Sequence, residues 1–103
     1  MNFVNLTPHD INIDGRVIPP SGMVARVLDK YVEQFNIDGI PAVIIENSEW
    51  GQLLPEIKND TILLVSRAVA QVVKRRDVFF PFDFVRNREG EILECKKLAR
   101  FSE

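Results

Sequence analysis

The side chains in this sequence whose types and spacing could do chemistry fall in four places. The first is Thr7-Pro8-His9-Asp10, a turn-forming run that carries the only histidine of the chain. An imidazole on a turn is free to reach a ligand, titrates near neutral pH and can donate to an anion. A locally hydrogen-bonded turn residue is the plainer reading. The second is Ser66-Arg67, which follows the apolar run Thr61–Val65. If that run is a strand and a helix follows, Ser66 caps the helix, and Arg67 adds a positive fork beside the helix start. No glycine-rich loop or phosphate-loop lysine accompanies the pair, so it is not a nucleotide motif in itself.

The third is a cationic set, Lys74, Arg75, Arg76, Arg86, Arg88, Lys96, Lys97 and Arg100, interleaved with Phe79, Phe80, Phe82 and Phe84. Basic residues between aromatics can hold stacked bases. The alternation of Phe80, Phe82 and Phe84 with Pro81 and Asp83 is equally the inward face of a strand, and core packing is the expected role of that row. The fourth is Cys95. Lys96 and Lys97 could lower its pKa, but its place inside a predicted strand favours an inert, part-buried thiol. No nucleophile-elbow pattern, metalloprotease histidine pair or dinucleotide loop is present, and one histidine with one cysteine makes a poor metal set. No catalytic residue, metal or cofactor is expected from the residues alone.

The elements that must position these groups are short. Turn signals recur at Thr7–Asp10, Asp14-Gly15, Pro19–Gly22, Asp38-Gly39, Asn59-Asp60 and Glu89-Gly90. That spacing suits strands and hairpins. Phe3–Leu6 reads as a strand. Ile11 and Ile13 alternate with polar residues, and Asp14-Gly15 marks a tight hairpin returning through Arg16–Ile18. Met23–Leu28 leans to strand, residues 29–37 fit helix and strand alike, and Ile40–Ile45 reads as strand. Thr61–Val65 suits a strand buried on both faces. A helix is predicted over about 67–75, with Lys74, Arg75 and Arg76 at its negative end. Val78–Phe80 is a strand stopped by Pro81, and Phe82–Arg86 pairs with Glu91–Leu98 around Asn87–Gly90. The expectation is a single α+β domain, residues 1–103, mostly antiparallel or mixed sheet with one helix.

Composition sets the boundaries. The 103 residues are 46% hydrophobic and 27% charged, enough for one core. The net charge of −2 is divided unevenly: residues 1–60 hold 4 basic and 9 acidic side chains, a net of −5, and residues 61–103 hold 9 and 6, a net of +3. Net acidity argues against nucleic acid as a partner. A lone cysteine rules out an internal disulfide. The opening residues are not those of a secretory signal, and no apolar run nears the ~20 residues of a membrane helix. A cytoplasmic address is expected.

The opening Asn5-Leu6-Thr7-Pro8-His9 with Asp10-Ile11, then Ile18-Pro19-Pro20-Ser21-Gly22, Val65–Ala70, and Arg76-Asp77-Val78 through Val85-Arg86 to Gly90 and Cys95, resemble a family of small proteins from phages, prophages and bacterial genomes. Glu94 departs from that family's pattern, in which a glycine precedes the cysteine. The resemblance implies a phage or mobile-element accessory protein acting in the bacterial cytoplasm. It also implies a ligand-binding set made of Asn5, Thr7, His9, Ser66, Arg67, Asp77 and Arg86. Three functions fit. The first is a non-enzymatic binder of a host factor, either a defence protein or a small nucleotide-like anion. The second is a small enzyme on a phosphorylated or nucleotide substrate with His9 as acid or base. The third is an interaction module in a phage or host assembly, with self-association open through edge strands.

Overall fold

A computed structural model describes residues 1–50 and 54–102, including their side chains except at 28–30 and 47–50. Eight strands and one short helix follow in the order β1 (Asn2–Asn5), β2 (Ile11–Ile13), β3 (Arg16–Ile18), β4 (Val27–Ile37), β5 (Ile40–Trp50), β6 (Thr61–Leu64), α1 (Arg67–Val72), β7 (Val78–Arg86) and β8 (Ile92–Ala99). This is the expected α+β domain, and the stretch 29–37 is strand. Among the described residues no helix is long and apolar enough to cross a membrane.

Six strands form one sheet in the order β1-β6-β7-β8-β2-β3. The pairs β1/β6, β6/β7 and β2/β8 are parallel, and β7/β8 and β2/β3 are antiparallel. The sheet curls until its ends meet. After β3 the chain runs back along β1, where Pro20 bridges Asn5, Ser21 N–H donates to Asn5 O at 2.9 Å and Ala25 N–H to Leu6 O at 2.9 Å. Closure covers the outer edge of β1 at Asn5 and Leu6, while among the described residues β7 beyond Phe79 stays open on its β6 side. Its interior is one apolar cluster to which all six strands contribute: Phe3, Ile11, Ile13, Ile18, Ile62, Leu64, Phe79, Cys95 and Leu98. Alternation along β1 and β6 sends Val4, Leu6, Leu63 and Val65 the other way, into a second cluster with Val69 and Ala70 of α1, Val78, Phe80 and Phe101. Leu63, Leu64 and Val65 are therefore all buried, as the unbroken apolar run predicted.

Local chemistry accounts for the joints. Asp14 and Gly15 both have positive φ, 50° and 70°, the pair of conformations that a two-residue hairpin turn demands. Ser66 Oγ accepts from Val69 N–H at 3.3 Å and caps α1. The helix is shorter than predicted. It ends at Val72, because Val73 turns extended and packs into the outer cluster. Lys74, Arg75 and Arg76 thus lie beyond its negative end, and the Arg75 guanidinium is engaged elsewhere. Its Nε and Nη2 grip the two carboxylate oxygens of buried Asp77 at 3.0 and 2.7 Å, and Nη2 also donates to Pro55 O.

Pro81 does not stop a strand, since β7 runs through it to Arg86. Asp77 and Phe79 turn their carbonyls to Leu63 and Val65 N–H, so alternation points the backbone of Pro81 to the same side. The pairing of β6 with β7 ends at Leu64↔Phe79, and no ladder hydrogen bond is lost there. The hairpin of β4 and β5 forms a separate two-stranded sheet that stands out from the body. With it, the radius of gyration reaches 16.4 Å, against about 13 Å for a compact chain of this length.

The closure is locked by one side chain. Asn5 is 1% exposed, its Nδ2 donates to His9 O at 2.8 Å and Ile18 O at 2.9 Å, and its Oδ1 accepts from Thr7 N–H at 2.9 Å and Thr7 Oγ1–H at 2.7 Å. Replacing Asn5 by Ala strands these partners in a buried place. We expect a loss of about 2–4 kcal/mol in urea unfolding, several times that of an exposed substitution such as Asn12→Ala.

Candidate functional site

Because β1, β6 and β7 are parallel and adjacent, the segments that leave their carboxyl ends emerge side by side. Past β1 come Thr7, Pro8 and His9. Past β6, whose Leu64 pairs with Asn5, come Val65, Ser66 and Arg67. The distal part of β7, Pro81–Phe84, continues beyond its pairing with β6 in the same direction, and β8 returns beside it through Ile92–Cys95. These segments enclose a cavity of about 760 Å³. That lies within the range of small-molecule sites, and the carboxyl ends of parallel strands are a common place for one.

The walls are mostly apolar: Ile11, Val65, Pro81, Phe82, Phe84, Ile92, Leu93 and Cys95. The polar groups at its margin are of two kinds. His9, Ser66 and Arg67 supply donors, and Asp10, Asp83 and Glu94 supply acceptors, while the Thr7 hydroxyl donates inward to Asn5 Oδ1. Neither the His9 imidazole nor the Arg67 guanidinium has a hydrogen-bond or ion-pair partner among the described residues. Arg67 is instead held in place by Phe80 and Phe101, its guanidinium carbon lying 5.7 Å from each ring centroid. A cation fixed by stacking keeps its donors available. The bend of residues 7–9 is fixed in turn: Asn5 takes the His9 carbonyl, and Thr7 Oγ1 lies 3.1 Å from the same oxygen.

Of the residues that the sequence singled out, Thr7, His9, Ser66 and Arg67 therefore share one cavity. Asn5, Asp77 and Arg86 do not line it. Asn5 is the buried brace behind the bend, and Asp77 is paired with Arg75. Arg86 donates to Gly90 O at 2.8 Å and lies over Phe84, 6.0 Å from its centroid, so it braces the β7–β8 turn. The basic and aromatic residues do not make one surface. Arg75 is committed to Asp77, Arg100 stacks over Phe79 at 6.0 Å, and Lys97 lies 3.9 Å from Asp83. The phenylalanine row is corrected in part. Phe80 is core, but Phe82 and Phe84 are 42% and 45% exposed and form the cavity wall. The row itself signalled them; what it could not signal was where the covering layer ends. Asp83 between them has φ of 60°, a strained conformation for an aspartate, at the wall of the cavity.

The chain matches no protein-family model, no curated protein and no solved structure.

Cys95 closes the floor, 3% exposed among Ile11, Ile18 and Leu64. Burial pushes its thiol pKa upward; the backbone amide of Phe82 pulls the other way with less effect. Lys96 and Lys97 do not activate it, since both are exposed. A raised thiol pKa stabilises the fold below the ordinary thiol range, and that contribution is lost as pH rises through the folded-state value. Two results are expected. At pH 8 a disulfide reagent labels native Cys95 at least about tenfold more slowly than the denatured chain. Stability measured by urea falls above about pH 9, and a Cys95→Ser variant lacks that alkaline decline.

Proposed function

We propose that the protein is a phage- or mobile-element-type accessory protein that binds a small nucleotide-like anion in the cavity between the Thr7–His9 bend and the β7–β8 strands. The observation that carries the reading is the pairing of Arg67 and His9, whose side chains have no hydrogen-bond or ion-pair partner among the described residues, with an aromatic wall of Phe82 and Phe84 in one cavity. A phosphate group has donors in Arg67, His9 and the hydroxyl of Ser66. A base has ring faces on which to stack, and sugar hydroxyls have acceptors in Asp83 and Glu94. A simple inorganic anion would use only the first of these and would meet repulsion from the carboxylates. A ligand with both an anionic and a donor-rich end uses all three.

Binding alone is sufficient for such a protein to act in the cytoplasm of a bacterial host, by holding a signal molecule away from its receptor. Turnover would require a base in contact with the reacting atoms. The single imidazole at the margin is the group that could serve, and a His9→Ala variant discriminates: a binder loses affinity, whereas an enzyme loses turnover.

The test is native mass spectrometry of the protein purified from bacterial cells, before and after denaturation, followed by titration with ADP as probe. The wild type is expected to release a molecule with a phosphate and a base chromophore, or to bind ADP. Arg67→Ala is expected to weaken ADP binding by about tenfold or more, the worth of one charge-assisted hydrogen-bond pair. A bare wild-type chain that also ignores ADP contradicts the reading.

A further inference from the structure

The β4–β5 hairpin presents a second feature that the cavity does not explain. Eight of its described apolar side chains face solvent: Tyr31, Val32, Phe35, Ile37, Ile40, Val43, Ile44 and Ile45 are 39–66% exposed. The register assigns them to faces. Phe35 opposes Ala42, Ile37 opposes Ile40, and Ile44 opposes Glu33, so one face is apolar at five of six positions. Val43 and Ile45 alternate to the other face, with Tyr31 opposite Ile45. A two-stranded ribbon with apolar residues on both faces is marginal by itself in water. The eight residues expose on the order of 800 Å², about what one partner contributes to a standard interface.

We infer that this arm is a self-association surface, on which two copies of the chain cross their hairpins so that each arm lies against the other copy. Charge favours a second copy as the occupant. The arm, Val27–Trp50, carries five acidic side chains and one basic, a net of −4, whereas residues 61–103 carry a net of +3. Lys74, Arg76, Arg88 and Lys96 of that stretch are exposed, so an acidic, apolar arm meets cations on an identical chain, and the two-fold arrangement makes the same contact twice. A flat partner would cover only one face of the arm; reciprocal crossing covers both. Phe35, Ile37, Ile40 and Ile44 form the centre of the contact, and a register shift between Tyr31 and Glu33 interrupts the ladder midway along the ribbon.

Sedimentation velocity with the full chain tests this. At about 10 µM the wild type is expected at twice the 11.8 kDa chain mass, shifting toward monomer on dilution and at high salt. Phe35→Glu with Ile44→Glu is expected to give a monomer at the same concentration, because carboxylates are driven into the apolar face. Both positions are exposed in the single chain, so far-UV circular dichroism and the thermal midpoint should be retained. A wild type that sediments as a monomer throughout overturns the inference, as does a dimer that the double variant leaves intact. A milder Ile40→Ser variant, expected to weaken the dimer by about tenfold, keeps the test decisive if the double variant does not fold.

Discussion

The closed sheet depends on a buried amide. Asn5 stands at the point where the first strand ends, where the chain bends through Thr7–His9 and where the chain leaving β3 returns to close the ring. Its side chain answers all three: two carbonyls from separate segments, one backbone N–H and one hydroxyl are satisfied by four hydrogen bonds within 3 Å. No buried side-chain polar atom lacks a partner among the described residues. A hydrophobic residue here would leave the carbonyls of Ile18 and His9 orphaned, and an aspartate would offer them no donor. The requirement is for both a donor and an acceptor in a small side chain, and asparagine meets it.

That constraint reaches the cavity through topology. With β1 held against β6 in parallel register, the bend carrying His9 has to emerge beside the joint carrying Ser66 and Arg67. The parallel strand β7, longer than its neighbour β6, then supplies an aromatic wall that no layer covers. The same shortness of β6 that admits Pro81 into a strand leaves Phe82 and Phe84 open. Packing and site geometry have one cause here: the mismatch in length between adjacent strands. The arm of β4 and β5 is built differently, with its apolar residues outside, and its physics is that of an interface.

Much of this was legible in the residues. The Asp14-Gly15 hairpin, the Ser66 cap, the doubly buried run Thr61–Val65 and the Asn87–Gly90 turn follow from local chemistry, and each lies where local chemistry puts it. Thr7, His9, Ser66 and Arg67 were recognisable as candidates, but 57 positions separate His9 from Ser66 in sequence, and only parallel pairing closes that gap. The end of α1 was not legible, because Val73 leaves the helix for a tertiary contact and Arg75 for an ion pair. Nor was the fate of the phenylalanine row. Alternation shows that Phe80, Phe82 and Phe84 share a face; only the extent of the covering elements decides that the first is core and the others are wall. Asn5, Asp77 and Arg86 show the converse limit. Their types suggest binding, and their hydrogen bonds show them bracing the frame.

The central claim, that the bend held by Asn5 and the joint at Arg67 form one ligand site, is tested most directly at the single histidine. Its imidazole Hε1 proton gives one resolvable NMR signal, with no other histidine to overlap it. Titration with ADP is predicted to shift that signal saturably in the wild type and to need at least about tenfold more ADP for the same shift in Arg67→Ala. A His9 signal that stays unmoved while ADP binds, or that moves equally in both proteins, contradicts a shared site.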